Sequence, residues 1–152
     1  MAKKKPFLVA MSGGSGSGKS TLAEALLDHL EPGQAVLFGE DAYYYPMSHY
    51  GEPANREEWE TLVAGINYDA PRSKEADRLV KDIRALKAGE TIQQPIYDYE
   101  RHDRSDRTRE IKSAPILILE GIHALSFPKI RSLIDLSVYV DTPDDLRLAR
   151  RI

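Results

Sequence analysis

Short apolar runs alternate with amphipathic stretches along this chain, and the alternation predicts strands interleaved with helices. Phe7 to Met11 is an apolar run leading directly into glycines, after which Leu22, Ala23, Leu26, Leu27 and Leu30 recur at helical spacing. Glu31, Pro32 and Gly33 stop that helix, and Ala35 to Phe38 predicts a second short strand that delivers Asp41 near its carboxyl end. Trp59, Leu62, Val63 and Ile66 mark one face of a further helix. Ala76, Leu79, Val80, Ile83 and Leu86 mark another, from about Ser73 to Ala88, closed by Gly89. From Thr91 to Ser113 the pattern becomes β-like: Ile92 to Tyr99, a charged tip around Arg101 to Arg107, and a return strand through Ile111. Ile116 to Leu119 is an unbroken apolar run, the signature of a strand covered on both faces, and Glu120 ends it. Leu136 to Val140 predicts one more strand. Thr142, Pro143, Asp144 and Asp145 predict a helix start, with Thr142 as the capping hydroxyl.

This order predicts an α/β fold: a mostly parallel β-sheet flanked by helices, with a β-hairpin excursion near residues 91–113 and ligands bound at the carboxyl ends of the strands. The 152 residues, 41% hydrophobic and 30% charged, suit one domain with a buried core. A net charge of −3 argues against a general nucleic-acid or anionic-membrane binder, so any cationic site must be local. With no cysteine, neither disulfides nor thiolate metal sites support the fold, and a reducing cytoplasm is consistent. The apolar run after Met1 to Pro6 is too short for a signal segment or a membrane span, and Lys3 to Lys5 read as a solvated terminus.

The chemistry starts at GGSGSGKS, residues 13–20, which satisfies GxxxxGK[ST] and sits between a predicted strand and a predicted helix. Such a loop turns successive backbone N–H groups toward phosphates. The helix N-terminus adds its positive field, Lys19 reaches the outer phosphates and Ser20 ligates magnesium. A carboxylate at Asp41 suits either a base for an acceptor hydroxyl or a magnesium ligand, and Glu120 occupies the place of a Walker B acid. Asp69 in NYDAP, with Tyr97, Tyr99 and His102 in YDYERH, can form a pocket for a sugar and a flat base. Arg147, Arg150 and Arg151 share a helix face able to clamp a phosphoryl group, whereas Asp144 and Asp145 are near enough to pair with them. Arg101, Arg104, Arg107 and Arg109 alternate with acids and read as a solvated hairpin tip.

Taken in order, GGSGSGKS, DAYY (41–44), NYDAP (67–71), PIYDYERH (95–102), ILEGIHAL (118–125) and VDTPDDLRLARRI (140–152) resemble the uridine kinases, the uridine-cytidine kinases of the P-loop nucleoside kinase group. The resemblance implies a P-loop kinase domain over residues 1–152 that uses ATP or GTP with Mg2+ to phosphorylate the 5'-hydroxyl of uridine or cytidine, a cytoplasmic step of pyrimidine salvage. It implies a nucleotide cradle of Gly13, Gly14, Ser15, Gly16, Ser17, Gly18, Lys19, Ser20 and Thr21. Catalysis would fall to Asp41, Lys19 and Arg150, and magnesium to Ser20, Asp41 and Glu120. Tyr44, Asp69, Tyr97, His102 and Arg147 would meet the nucleoside. Three departures stand out. Ala70 replaces a histidine usual in the family, FGED precedes and includes Asp41 where SQDS-like sequences are frequent, and the family's last strand, lid remainder and C-terminal helix are missing. The last point makes the open sheet edge a place for self-association, as a homo-oligomer or with a partner. The alternatives are a phosphoribulokinase-like sugar-phosphate kinase and a non-catalytic ATP-binding fragment.

Overall fold

The computed structural model describes residues 5–151. Lys3, Lys4 and the final Ile152 of the last motif lie outside the described residues. Four parallel strands, β1 (Phe7–Ser12), β2 (Ala35–Gly39), β5 (Ile116–Glu120) and β6 (Leu136–Tyr139), form one sheet in the order β2-β5-β1-β6. A separate antiparallel pair, β3 (Ile92–Asp98) and β4 (Asp103–Ile111), is the predicted hairpin. The helices are α1 (Lys19–Asp28), α2 (Arg56–Ala64), α3 (Ala76–Lys87), the short α4 (Pro128–Arg131) and α5 (Asp144–Ala149).

The period-2 alternation of strand side chains divides the apolar runs between two cores. Leu8, Ala10, Leu117 and Leu119 face one way, packing with Leu79, Val80, Ile83 and Leu86 of α3 and with Ile92 and Ile111 of the hairpin. Val9, Met11 and Ile118 face the other way, against Ala23, Leu26 and Leu27 of α1. Both faces of β1 and β5 are therefore covered, which is why these strands read as unbroken apolar runs. Helix α3 stops where Gly89 takes φ +86°, with Gly89 N–H donating to Leu86 and Glu90 N–H to Ala85. Asn55 caps α2 by accepting from Glu58 N–H at 3.0 Å, while Glu58 reaches back to Ala54 N–H at 2.9 Å.

Three local expectations are corrected. Pro71–Ser73 forms a 3-10 turn, so α3 begins at Ala76 rather than near Ser73. Thr142 does not cap α5: Pro143 holds the N-cap position, and the Thr142 hydroxyl instead donates to the Ser17 carbonyl at 2.9 Å. Arg101 sits exposed at the tip as expected, but Arg104, Arg107 and Arg109 lie on β4. Arg104 pairs with Glu75 at 2.6 Å, largely buried, and Arg109 donates to the Leu37 carbonyl at 3.0 Å. Charge alternation cannot reveal such partners, because they come from distant parts of the chain.

Register places the chemistry on one edge. Met11 pairs with Glu120, Gly39 with Glu120, and Ser12 with Tyr139, so β1, β2, β5 and β6 end together. The glycine loop leaves the end of β1, Asp41 follows the end of β2, and Glu120 closes β5.

Candidate active site

The glycine loop joins Ser12 to Lys19, and the two glycines that need left-handed backbone are Gly16 (φ +76°) and Gly18 (φ +91°). The turn closes through Ser17 N–H to the Gly14 carbonyl at 3.1 Å, and α1 starts with Leu22 N–H on the Gly18 carbonyl. Lys19 is buried at the head of α1, and the Ser20 hydroxyl donates to Glu120 Oε2 at 3.0 Å. Burial pushes the Glu120 carboxyl above its ordinary value, opposed by the Ser20 hydroxyl and the Lys19 charge.

Helix α5 leans on this loop. A side chain at Gly16 would meet the Arg147 carbonyl at 2.8 Å, so only a glycine admits the helix so near. Arg150 donates to the Gly16 carbonyl at 3.1 Å, and the Arg147 guanidinium packs on Gly14 while pairing with Asp144. The structure thus gathers Arg147 and Arg150 at the loop. Asp69 lines a cleft of about 280 Å³ with Gly13, Gly14, Ser15 and Arg151. Its backbone carbonyl meets His123 Nε2 at 2.8 Å, which fixes the turn carrying it.

Asp41 lies in a 3-10 turn, Glu40–Tyr43, immediately after β2. Its Oδ1 accepts from Lys74 Nζ at 2.7 Å, and the same ammonium lies 3.2 Å from Glu40 Oε1. The Lys74 and Glu40 side chains are wholly buried, while that of Asp41 is 41% exposed. Glu40 is anchored in turn by His123 N–H on Oε2 at 2.6 Å, and Gly121 leaves its backbone flush against Glu40. Burial pushes the Glu40 carboxyl upward, countered by the Lys74 charge.

Tyrosines cluster around Tyr44, which follows in the same segment as Asp41. Tyr44 stands 5.0 Å from Tyr97, 5.6 Å from Tyr68 and 6.5 Å from Tyr99, centroid to centroid, and Lys74 Nζ sits 3.3 Å over its ring. Burial raises the Tyr44 hydroxyl well above its usual value, with Asp41 and Glu40 adding to it. His102, at positive φ of 50°, packs its ring 5.3 Å from Tyr68 and 5.8 Å from Trp59. The Tyr50 hydroxyl is buried without a hydrogen-bond partner among the described residues, and the Tyr68 and Tyr97 hydroxyls lie close to each other. An unpartnered polar group beside an aromatic wall suits a polar, flat ligand.

Reading from the chain alone overlooked Glu40, Lys74 and His123. Lys74 looks like one charge in a polar turn, and no spacing in PRSKE announces that it will be buried. Its place comes from a β-bridge between Tyr44 and Lys74, with Tyr45 N–H on the Ser73 carbonyl and Glu75 N–H on the Tyr43 carbonyl.

The family model for phosphoribulokinase/uridine kinase matches residues 8–152. The chain belongs to this family. A uridine kinase from Limosilactobacillus reuteri (strain DSM 20016) is 37% identical over 150 residues, covering 98% of this chain and 65% of its own length. A uridine kinase from Listeria innocua serovar 6a is 39% identical over 149 residues, covering 98% of this chain and 68% of its own. The chain therefore spans about two thirds of the length of such curated relatives. In fold, it resembles the solved structure of a possible uridine kinase from Bacillus stearothermophilus: TM-score 0.68 at 22% identity, covering 99% of this chain and 78% of that one.

The oxygen donors present fit magnesium. That ion prefers one or two carboxylates together with substrate phosphates and water, so the Ser20–Glu120 pair beside the phosphate loop suffices in type and number. Among the described residues no three His, Cys, Asp or Glu side chains gather into a cage. No helix among them is long and apolar enough to cross a membrane.

Proposed function

We propose that the chain is the nucleotide- and acceptor-binding part of a cytoplasmic kinase that transfers the γ-phosphoryl group of ATP, or GTP, to the 5'-hydroxyl of uridine or cytidine. The observation that carries this reading is Asp41, a partly exposed carboxylate that follows β2 on the same sheet edge as the glycine loop and the Ser20–Glu120 pair. The curated relatives' names support the choice of nucleoside.

In this reading the loop from Gly13 to Thr21 holds the phosphates through its backbone N–H groups, and Lys19 neutralises the outer ones. Ser20, Asp41 and Glu120 would hold magnesium, which would supply charge neutralisation at the transferring phosphoryl group. Asp41 orients the 5'-hydroxyl and accepts its proton as the oxygen–phosphorus bond forms. Arg150, on the loop, faces charge developing on the phosphates, and Arg147 flanks it. Asp69 suits the ribose hydroxyls, while Tyr44, Tyr97 and His102 suit the base. Positioning and charge neutralisation account for most of the rate gain in such a transfer.

A sugar-phosphate acceptor would need a cation free to receive its phosphate. Beside Asp41, Lys74 is already engaged by two carboxylates, which favours the nucleoside. The test is incubation with ATP and magnesium against uridine, cytidine, adenosine, thymidine and ribulose 5-phosphate, with products read by mass spectrometry. A phosphate gained by uridine or cytidine and lost in Asp41→Asn is the expected result. ATP binding without transfer to any acceptor would reduce the chain to a nucleotide-binding unit.

A further inference from the structure

The sequence places two acidic residues in succession after β2, and the fold treats them differently. Glu40 is wholly buried, and Asp41 is partly exposed. One ammonium joins them. Lys74 reaches it from a strand-like bridge on the opposite chain segment, so its backbone is fixed by the hydrogen bonds that flank it. Its head is fixed by Glu40, itself fixed by the His123 N–H at 2.6 Å. The Lys74 side chain is wholly buried, with its ammonium beside Glu40 and 3.3 Å over the Tyr44 ring.

We propose that Lys74 is a positioning residue: it holds Oδ1 of Asp41, presents Oδ2 alone to the acceptor hydroxyl, and keeps Asp41 out of the magnesium shell. This rests on the kinase reading, and it changes that reading in one respect. Asp41 serves the acceptor only, and magnesium is left to Ser20, Glu120 and the phosphates. The reason is that a carboxylate bonded to a dry ammonium at 2.7 Å must break that pair before it can swing toward a cation, and Glu40 alone would be left to neutralise Lys74. In the transfer, the acceptor O–H bond breaks and its proton passes to Asp41 Oδ2. The oxygen bonds to the γ-phosphorus, and the bond from that phosphorus to the β-bridging oxygen breaks, ADP leaving with the electron pair.

Two arms test this. The first needs no turnover: Mn2+ binding in the presence of ADP, followed by electron paramagnetic resonance. In Lys74→Met, Asp41 is released, and Mn2+ should bind about tenfold more tightly, the scale on which groups that orient ligand carboxylates act. The gain should vanish in K74M/D41N, and Lys74→Arg should bind as the parent does. Because K74M leaves Glu40 buried without its partner, E40Q/K74M is measured beside it with thermal melting, and the same gain is expected there. Unchanged Mn2+ affinity in E40Q/K74M, or a gain that survives Asp41→Asn, overturns the proposal.

The second arm is kinetic, with whichever nucleoside the parent chain phosphorylates. The kcat of E40Q/K74M should fall roughly 10–100-fold with KM for ATP little changed, and Lys74→Arg should recover most of it. A kcat that survives loss of Lys74 overturns the positioning role. If the parent phosphorylates no acceptor, the kinase reading fails by itself, and the Mn2+ arm alone decides whether Lys74 restrains Asp41.

Discussion

Gly121 stands against the buried carboxylate that organises the site, and replacing it with alanine should damage the fold and the acceptor side together. The added Cβ would lie 2.3 Å from Glu40 Oε2 and 2.6 Å from Glu40 Cβ. A flexible side-chain end could yield to the first contact, but the second requires the 3-10 turn Glu40–Tyr43 to move. That turn is tied by His123 N–H to Glu40 at 2.6 Å and by Lys74 at 3.2 Å. Overpacking alone costs about 1–3 kcal/mol. Losing a buried hydrogen bond to a charged acceptor adds about 1.5–3 kcal/mol, so Gly121→Ala should lose about 2.5–6 kcal/mol in all. That is a large share of the stability of a typical domain, about 5–15 kcal/mol, and corresponds to a fall in Tm of roughly 5–24 °C. Urea unfolding at constant m-value measures it. Gly65→Ala is the control, since Gly65 has φ −80° and its nearest foreign atom, the Leu62 carbonyl oxygen, would be 3.4 Å from the new Cβ. It should be neutral or stabilising by about 0.5–1 kcal/mol. A Gly121→Ala loss no greater than that of Gly65→Ala would refute the reasoning, because the Glu40 anchor would then be free to move without cost.

Two further outcomes follow from buried and paired carboxylates elsewhere. Tyr43→Phe removes the hydroxyl that donates to Asp82 Oδ2 at 2.9 Å, and should cost about 1–3 kcal/mol at neutral pH. Burial already raises the Asp82 carboxyl, so the stability held below its unfolded value is lost as pH rises through the folded one. Tyr43→Phe raises it further, and urea melts should show the deficit shrinking as pH falls toward 4, within the carboxylate range; a deficit constant with pH would contradict this. Asp135 has the opposite sign. The Leu8 N–H at 2.7 Å, then Lys87 at 2.6 Å, hold its carboxyl below the ordinary value of 3.8, so its contribution is present above that value and lost as pH falls through the folded one. Asp135→Asn should therefore cost about 0.5–1 kcal/mol near pH 7, solvent screening included, and show a smaller acid-induced loss than the parent. Equal acid sensitivity in both proteins would count against it.

Much of this molecule is local in origin and was legible from the chain. The α/β alternation, the strand–glycine loop–helix unit at residues 7–28 and the hairpin near 91–113 follow from side-chain periodicity and the backbone freedom of glycine, properties that neighbours in sequence determine. The ordered motifs likewise pointed to the family that residues 8–152 match. The convergence of the glycine loop, Asp41 and Glu120 also followed, because parallel strands with helical crossovers bring their carboxyl ends to one edge. What only the tertiary structure decided were the partners of charged groups. Arg104 read as a solvated charge and Lys74 drew no reading at all, yet they pair with Glu75 and Asp41, respectively 29 and 33 positions away in sequence. Thr142 read as a helix cap, yet it serves the carbonyl of Ser17. A charge or hydroxyl carries no periodic signal of its own. Its burial is set by which distant segment the fold lays beside it, and here a single β-bridge at Tyr44 and Lys74 brings the ammonium to the candidate base.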